Sequence, residues 1–173
     1  MITFAAVVQL LIALAFVSIP VVRHRYGGDA AAHAEAELER QGIPVRVLKE
    51  NKINFDASGH ETWAPGSIAL IVAALAVLNL SGSHWGEVLS WVFMPLVFLG
   101  SLAILYSQLT AVKSVEAAFK RKGDPMLQRI DVPAMIEAAE KGFPTWVMPF
   151  FQNVRHAVVL GGALLAMAAL IMA

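Results

Sequence analysis

The sequence predicts an all-α, polytopic integral membrane protein with four transmembrane helices and two partly helical cytoplasmic loops. The first observation behind this prediction is composition. Hydrophobic residues make up 58% of the chain and charged residues 15%, whereas soluble domains average about 45–50% and about 25%. The second is the presence of four long apolar runs, since a bilayer core of about 30 Å takes roughly 20 helical residues to cross.

The four predicted spans are continuous apolar segments, without the alternation that the strands of a membrane β-barrel would show. They cover about residues 2–22, 66–82, 88–112 and 154–173. Backbone groups in lipid must be hydrogen-bonded internally, so we expect helices. The first run has no basic segment before it, and we expect a retained span and not a cleaved signal peptide. Residues 1–173 are predicted to form a single membrane domain.

The basic residues predict the orientation of the spans. Every Lys and Arg except Arg155 lies in two loops of about 43 residues, 23–65 and 113–153. The turn between the second and third spans contains none. Short loops rich in Lys and Arg stay in the cytoplasm. We therefore expect a multi-pass protein of the plasma membrane with both long loops cytoplasmic and both termini outside.

Tryptophan is expected at the two membrane–water interfaces, because its ring combines an apolar body with one N–H donor. The four tryptophans are Trp63, Trp85, Trp91 and Trp146. Two of them belong to similar motifs, ETWAP and PTWVMP, before the second and fourth spans. Thr62 and Thr145 are the predicted N-caps there. The similar plan of the two halves fits either a tandem duplication or the common needs of membrane helices.

The first loop is predicted to contain a helix of its own. Asp29 is the expected N-cap and Gly42 the expected C-cap. A second short helix after Pro44, followed by an extended segment at KINFDASG, is one interpretation of the rest. A hairpin between VRVL and INF is the alternative.

The second loop is predicted to begin as a helical continuation of the third span. We expect this helix to run to Lys122 and to stop at Gly123. A short helix between Asp131 and Gly142 follows, and then an aromatic stretch around Trp146. These features fit either an amphipathic segment lying on the inner leaflet or ordinary packing of a loop next to the membrane.

Charged residues inside spans mark ion and proton paths, and the cores of these spans contain none. The candidate intramembrane polar contacts are the amides of Gln9, Asn79 and Gln108. The orientation puts Gln9 and Asn79 in the outer half of the membrane and Gln108 at the inner end. We expect hydrogen bonds between helices, which are weak but order a bundle. Lining a path is the alternative.

A second group of candidates flanks the membrane on the cytoplasmic side: Arg23, His24 and Arg25 after the first span, and Arg155 and His156 at the start of the fourth. Two neutral imidazoles at similar depth could ligate a haem iron. The neighbouring arginines instead favour contact with lipid headgroups or with a partner protein. Plain placement at the interface is the third interpretation.

Several kinds of chemistry have no support in the sequence. There is no Cys, which excludes disulfides and thiolate ligands. Common nucleophile, zinc-protease and phosphate-loop motifs are missing, and a net charge of zero gives no bulk attraction to nucleic acid. His33 and Glu37 have the spacing of a metal-binding pair, but two ligands do not make a site. We predict no catalytic residue, metal or cofactor.

These observations favour a non-enzymatic role. The first hypothesis is an accessory or scaffold subunit of a larger membrane complex with a cytoplasmic docking surface. Its partners would be the lipid bilayer and other membrane subunits or copies of itself. The alternative is a homo-oligomeric channel or small transporter. A haem-binding or catalytic membrane protein is the third hypothesis.

Overall fold

The fold is helical throughout the part of the chain that the structure describes. The computed structural model describes residues 1–51, 53–55 and 59–172, and no strand occurs in them. A 3₁₀ turn, Leu127–Arg129, and a π-type turn, Trp146–Phe151, accompany the α-helices. The helices are α1 (Ile2–Arg40), α2 (Arg46–Glu50), α3 (His60–Leu80), α4 (His84–Leu109), α5 (Ala111–Lys122), α6 (Val132–Lys141) and α7 (Gln152–Ile171).

The prediction of four spans is confirmed at the level of length and composition. In the described residues, four helical segments are long and apolar enough to cross a membrane. They are Ile2–Arg40, Thr62–Leu80, His84–Leu109 and Trp146–Ile171. Such a set fits a multi-pass membrane protein.

The chain divides into two compact units. The span unit comprises Met1–Val21, Gly59–Leu105 and Phe151–Ala173, and the connection unit comprises Val22–Ser58 and Tyr106–Phe150. Among the described residues, every Asp, Glu, Lys and Arg except Glu61, Glu87 and Arg155 falls in the connection unit. The division by contacts therefore coincides with a division by charge.

The core of the span unit receives side chains from all four long helices. Ile12 of α1, Val72 of α3, Met94 of α4 and Ala163 of α7 have no exposed surface. Small residues let α1 and α7 approach closely. A Cβ atom added at Gly162 would lie 3.1 Å from the side chain of Ile12.

The connection unit has a hydrophobic core of its own. Leu38 of α1, Val47 of α2, Phe119 of α5 and Met135 of α6 are all buried in one cluster. α1 and the end of α6 touch through backbone. A Cβ atom at Gly142 would stand 2.4 Å from the Cα atom of Ala30, so only a residue without a side chain fits there.

Local capping in the connection unit follows the prediction. Gly123, at φ 69°, ends α5 in the left-handed conformation that favours glycine. The Asp131 carboxylate accepts a hydrogen bond from the Ala134 N–H at 3.0 Å and caps α6. Gln41 contacts the same N-terminal end of α6, because its side-chain amide oxygen accepts a hydrogen bond from the Asp131 N–H at 2.8 Å.

Two predicted helix boundaries in the loops are wrong. Asp29 does not start a helix, because α1 continues through it to Arg40. Gly27 and Gly28 cost about 1 kcal/mol each in a helix but do not break its hydrogen bonds. Burial of Ala30, Ala34 and Leu38 on the continued helix offsets that cost. The third span does not run unbroken to Lys122, since Thr110 separates α4 from α5.

The predicted threonine caps are also wrong. α3 begins at His60, directly after Gly59 at φ 56°, so Thr62 lies inside the helix. α7 begins at Gln152, because Met148 has extended dihedral angles and interrupts the helical path after Thr145. The hairpin alternative in the first loop fails as well, since Arg46–Glu50 is helical. Lys52 and residues 56–58 of the predicted extended segment lie outside the described residues.

Candidate functional site

A buried polar cluster joins three helices of the span unit. Asn79 of α3 donates through Nδ2 to Gln9 Oε1 of α1 at 2.9 Å and to Ser90 Oγ of α4 at 3.0 Å. Gln9 Nε2 donates to the same Ser90 Oγ at 2.8 Å. Gln9 and Ser90 have no exposed surface, and Asn79 has 2%. The three side chains form a closed triangle of hydrogen bonds.

Every polar side-chain atom of this cluster except one has a hydrogen-bond partner in the cluster or in the backbone. Ser90 Oγ donates to the Gly86 carbonyl at 2.6 Å and accepts from both amides. Asn79 Oδ1 is the buried side-chain atom that lacks a partner in the described part of the chain. It faces Gly86, where an added Cβ would stand 2.7 Å away. Amides and a hydroxyl do not titrate near neutral pH, so none of the three side chains carries a charge there.

The structure brings two of the three predicted intramembrane amides together. Gln9 and Asn79 bond to each other directly, whereas Gln108 is exposed in the last turn of α4. Sequence reasoning missed Ser90 and Gly86. Their spacing of four residues was the available signal, because small residues four apart allow close helix approach.

The candidates predicted to flank the membrane fall into both units. Arg23, His24 and Arg25 belong to the connection unit, and Arg155 and His156 to the span unit. His24 and Arg25 are exposed, and the other three are half-buried. Each group is a surface feature of its own unit.

An aromatic contact accompanies the first of these groups. The rings of Tyr26 and Trp146 meet edge to face, with centroids 6.4 Å apart and an interplanar angle of 83°. The Arg25 guanidinium lies 6.0 Å from the centroid of Tyr26. Edge-to-face pairs and cations over rings are both favourable arrangements.

All four predicted interface anchors expose their rings. The exposed fractions range from 39% at Trp91 to 76% at Trp63, with Trp85 and Trp146 between them. Large apolar rings exposed to this degree would be costly in water, but they suit the headgroup region of a bilayer.

The possible metal pair of the first loop is engaged in local contacts. His33 Nδ1 lies 2.8 Å from the Asp29 carbonyl oxygen. The Glu37 carboxylate accepts hydrogen bonds from Arg40 at 2.6 and 2.7 Å and from Gln41 at 2.7 Å. These bonds favour the ionised form and lower the pKa of Glu37 to about 2. Both side chains therefore make their contacts within the connection unit.

The described chain is helical, and its four long apolar helices fit a multi-pass membrane protein. Comparison of the chain with protein-family models, curated proteins and solved structures finds no match.

Proposed function

We propose that this chain is a non-enzymatic accessory or scaffold subunit of a larger membrane complex. The four long helices anchor it in the bilayer, and the connection unit supplies the docking surface. The observation that carries this proposal is the separate hydrophobic core of the connection unit, around Leu38 and Met135. Loops that only joined membrane helices would have no need of a core.

The proposed orientation puts the connection unit in the cytoplasm of a cell whose plasma membrane holds the chain. The distribution of Lys and Arg supports this, because both loops carry basic residues and the turn at residues 81–83 has none. Both termini then face outward. A small tag at either terminus should be labelled on intact cells by an impermeant reagent. Protection of both tags would contradict the orientation.

The closed polar cluster supports an anchoring role over a transport role. A path through the bundle needs polar groups that remain free to bind the passing species. Gln9, Asn79 and Ser90 instead bond to one another and are buried. The bundle interior thereby provides helix order.

The deciding experiment is the mass and composition of the particle extracted gently from its own membrane. Other polypeptides at fixed stoichiometry would support the accessory role and would identify the complex. A particle that contained only this chain, in several copies, would contradict it. That result would instead favour the homo-oligomeric channel, which flux measurements in liposomes would then test.

The docking surface has a test of its own. Arg46 and Lys49 lie on the exposed side of α2, and the Arg46–Glu50 pair is loose at 3.7 Å. Exposed pairs of this kind contribute little stability, so charge reversal at either position should leave the fold intact. Release of the partner polypeptides by such a variant would support docking through the first loop.

A further inference from the structure

The contact between Tyr26 and Trp146 joins two parts of the connection unit that are far apart in sequence. Tyr26 follows the first apolar run by only a few residues, and Trp146 precedes α7 by only a few residues. The two rings pack edge to face, and the Arg25 guanidinium lies 6.0 Å from the centroid of Tyr26. The result is a compact group of one cation and two aromatic rings.

The aromatic surface beside this group is open. Trp146 is 53% exposed and Phe150 is 69% exposed. Other large side chains of the same unit, such as Phe119, are instead buried in its hydrophobic core. Exposed aromatic rings next to apolar spans are suited to the boundary between headgroups and acyl chains.

The two stretches of sequence that build the group carry a net positive charge. The sequence contains no Asp or Glu in residues 1–28, and none in residues 142–173. The nearest carboxylate in the sequence is Asp29, an exposed residue four positions after Arg25 on α1, and the two arginines Arg23 and Arg25 outnumber it. A guanidinium presents a planar fork of N–H donors that matches a phosphate.

We propose that Arg25, Tyr26 and Trp146 form a binding site for the phosphate headgroup of an anionic phospholipid. Arg25 binds the phosphate, and Tyr26 orients the guanidinium. Trp146 and Phe150 contact the glycerol and upper acyl region. This inference rests on the membrane placement in the proposed function, and it adds a lipid partner to it.

The experiment is native mass spectrometry of the purified full-length chain in detergent. Phosphatidylglycerol and phosphatidylcholine with identical acyl chains are added as an equimolar mixture. We expect preferential retention of phosphatidylglycerol. Each basic residue near a membrane surface contributes an attraction to anionic lipid that corresponds to about a fivefold change in affinity. Arg25→Ala should therefore reduce the preference by about fivefold, and Arg25→Lys should retain part of it.

Two further variants separate the parts of the site. Trp146→Ala should weaken binding of both lipids, because it removes apolar contact and not charge, whereas Trp146→Phe should restore most of it. Arg46→Ala is the matched control. Arg46 is an exposed arginine of the same unit whose contact is with Glu50, and its removal should leave the preference unchanged.

Equal retention of the two lipids, or equal losses in Arg25→Ala and Arg46→Ala, would overturn the site. Saturable binding of inorganic phosphate in equilibrium dialysis, lost in Arg25→Ala, would also overturn it by identifying a site for a soluble anion. Because the chain is tested alone, the result is independent of any partner subunit. Extraction of the chain from membranes by alkaline carbonate would instead contradict the membrane placement itself.

Discussion

Replacement of Gly86 by Ala should disrupt the packing of α3 against α4 at the polar cluster. The added Cβ would stand 2.7 Å from the Asn79 nitrogen, the Asn79 Oδ1 atom and the Leu78 carbonyl carbon. Two of these three atoms are backbone, so rotation of a side chain cannot relieve the contact. Ordinary contact begins at 3.4 Å, and the helices must separate locally by about 0.7 Å.

That separation has a calculable consequence for the cluster. The hydrogen bond from Asn79 Nδ2 to Ser90 Oγ, now 3.0 Å, would lengthen to about 3.7 Å, beyond hydrogen-bonding range. Overpacking costs about 1–3 kcal/mol, and a hydrogen bond between membrane helices contributes about 0.6 kcal/mol. The higher helix propensity of Ala offsets up to about 1 kcal/mol of this loss of stability. We expect a net destabilisation of about 1–3 kcal/mol.

Gly100 provides a matched control on the same helix. An added Cβ there meets no atom within 4 Å, so Gly100→Ala should be neutral or stabilising by up to about 1 kcal/mol. The assay is reversible unfolding in mixed micelles with increasing dodecyl sulfate, followed by circular dichroism. If the Gly86→Ala protein were as stable as the Gly100→Ala protein, the close approach of the two helices would be refuted.

A double-mutant cycle connects the packing to the hydrogen bond. Ser90→Ala alone removes the shared acceptor of Gln9 and Asn79 and should cost about 1–2 kcal/mol. In a Gly86→Ala background the hydrogen bond from Asn79 to Ser90 is already lengthened, so Ser90→Ala should reduce the stability by less there. Strictly additive effects would show that the glycine and the cluster are independent.

Three further predictions concern the connection unit. Gly142→Ala should destabilise the connection unit by more than about 2 kcal/mol, because the added Cβ would overlap Ala30. Gly28→Ala is the control and should not destabilise it, because a Cβ there meets no atom within 4 Å. Thermal unfolding of the two variants tests this difference. Asp131→Ala should cost about 1 kcal/mol through loss of the α6 cap and speed hydrogen exchange in its first turn, and Asp131→Asn should preserve protection. Glu37 has a folded-state pKa of about 2, below the ordinary 4.5. Its contribution to the free energy of unfolding is therefore present above pH 4.5 and is lost as the pH falls toward 2. When the free energy of unfolding is measured against pH, Glu37→Gln should lack this acid-dependent loss.

Features that depend on neighbouring residues were the most predictable from the sequence. The left-handed stop at Gly123 and the cap by Asp131 each involve a few adjacent residues. The four long apolar helices also follow from the sequence alone, because the length of each continuous apolar run predicts them. The continuity of α1 through Gly27 and Gly28 was not predictable in this way. It depends on burial of Ala30 and Leu38 against distant segments.

The polar cluster shows a second limit of sequence reasoning. Gln9 and Asn79 stand out in apolar runs because amides are rare there, but Ser90 is a common residue of membrane helices. The spans are apolar around most of their circumference, so hydropathy does not indicate which face is internal. The four-residue spacing of Gly86 and Ser90 is compatible with close helix approach, but only the contact distances at Gly86 show that α3 and α4 approach closely there.

The distribution of polar groups indicates where recognition should be sought. In the span unit, Gln9, Asn79 and Ser90 are bonded to one another, and its charged residues in the described chain are limited to Glu61, Glu87 and Arg155. The connection unit holds the rest of the described charges on a folded core. A binding partner can gain charge complementarity only where charges are exposed. This contrast supports docking through the connection unit, and it predicts that surface variants there change complex formation while core variants of the bundle change stability alone.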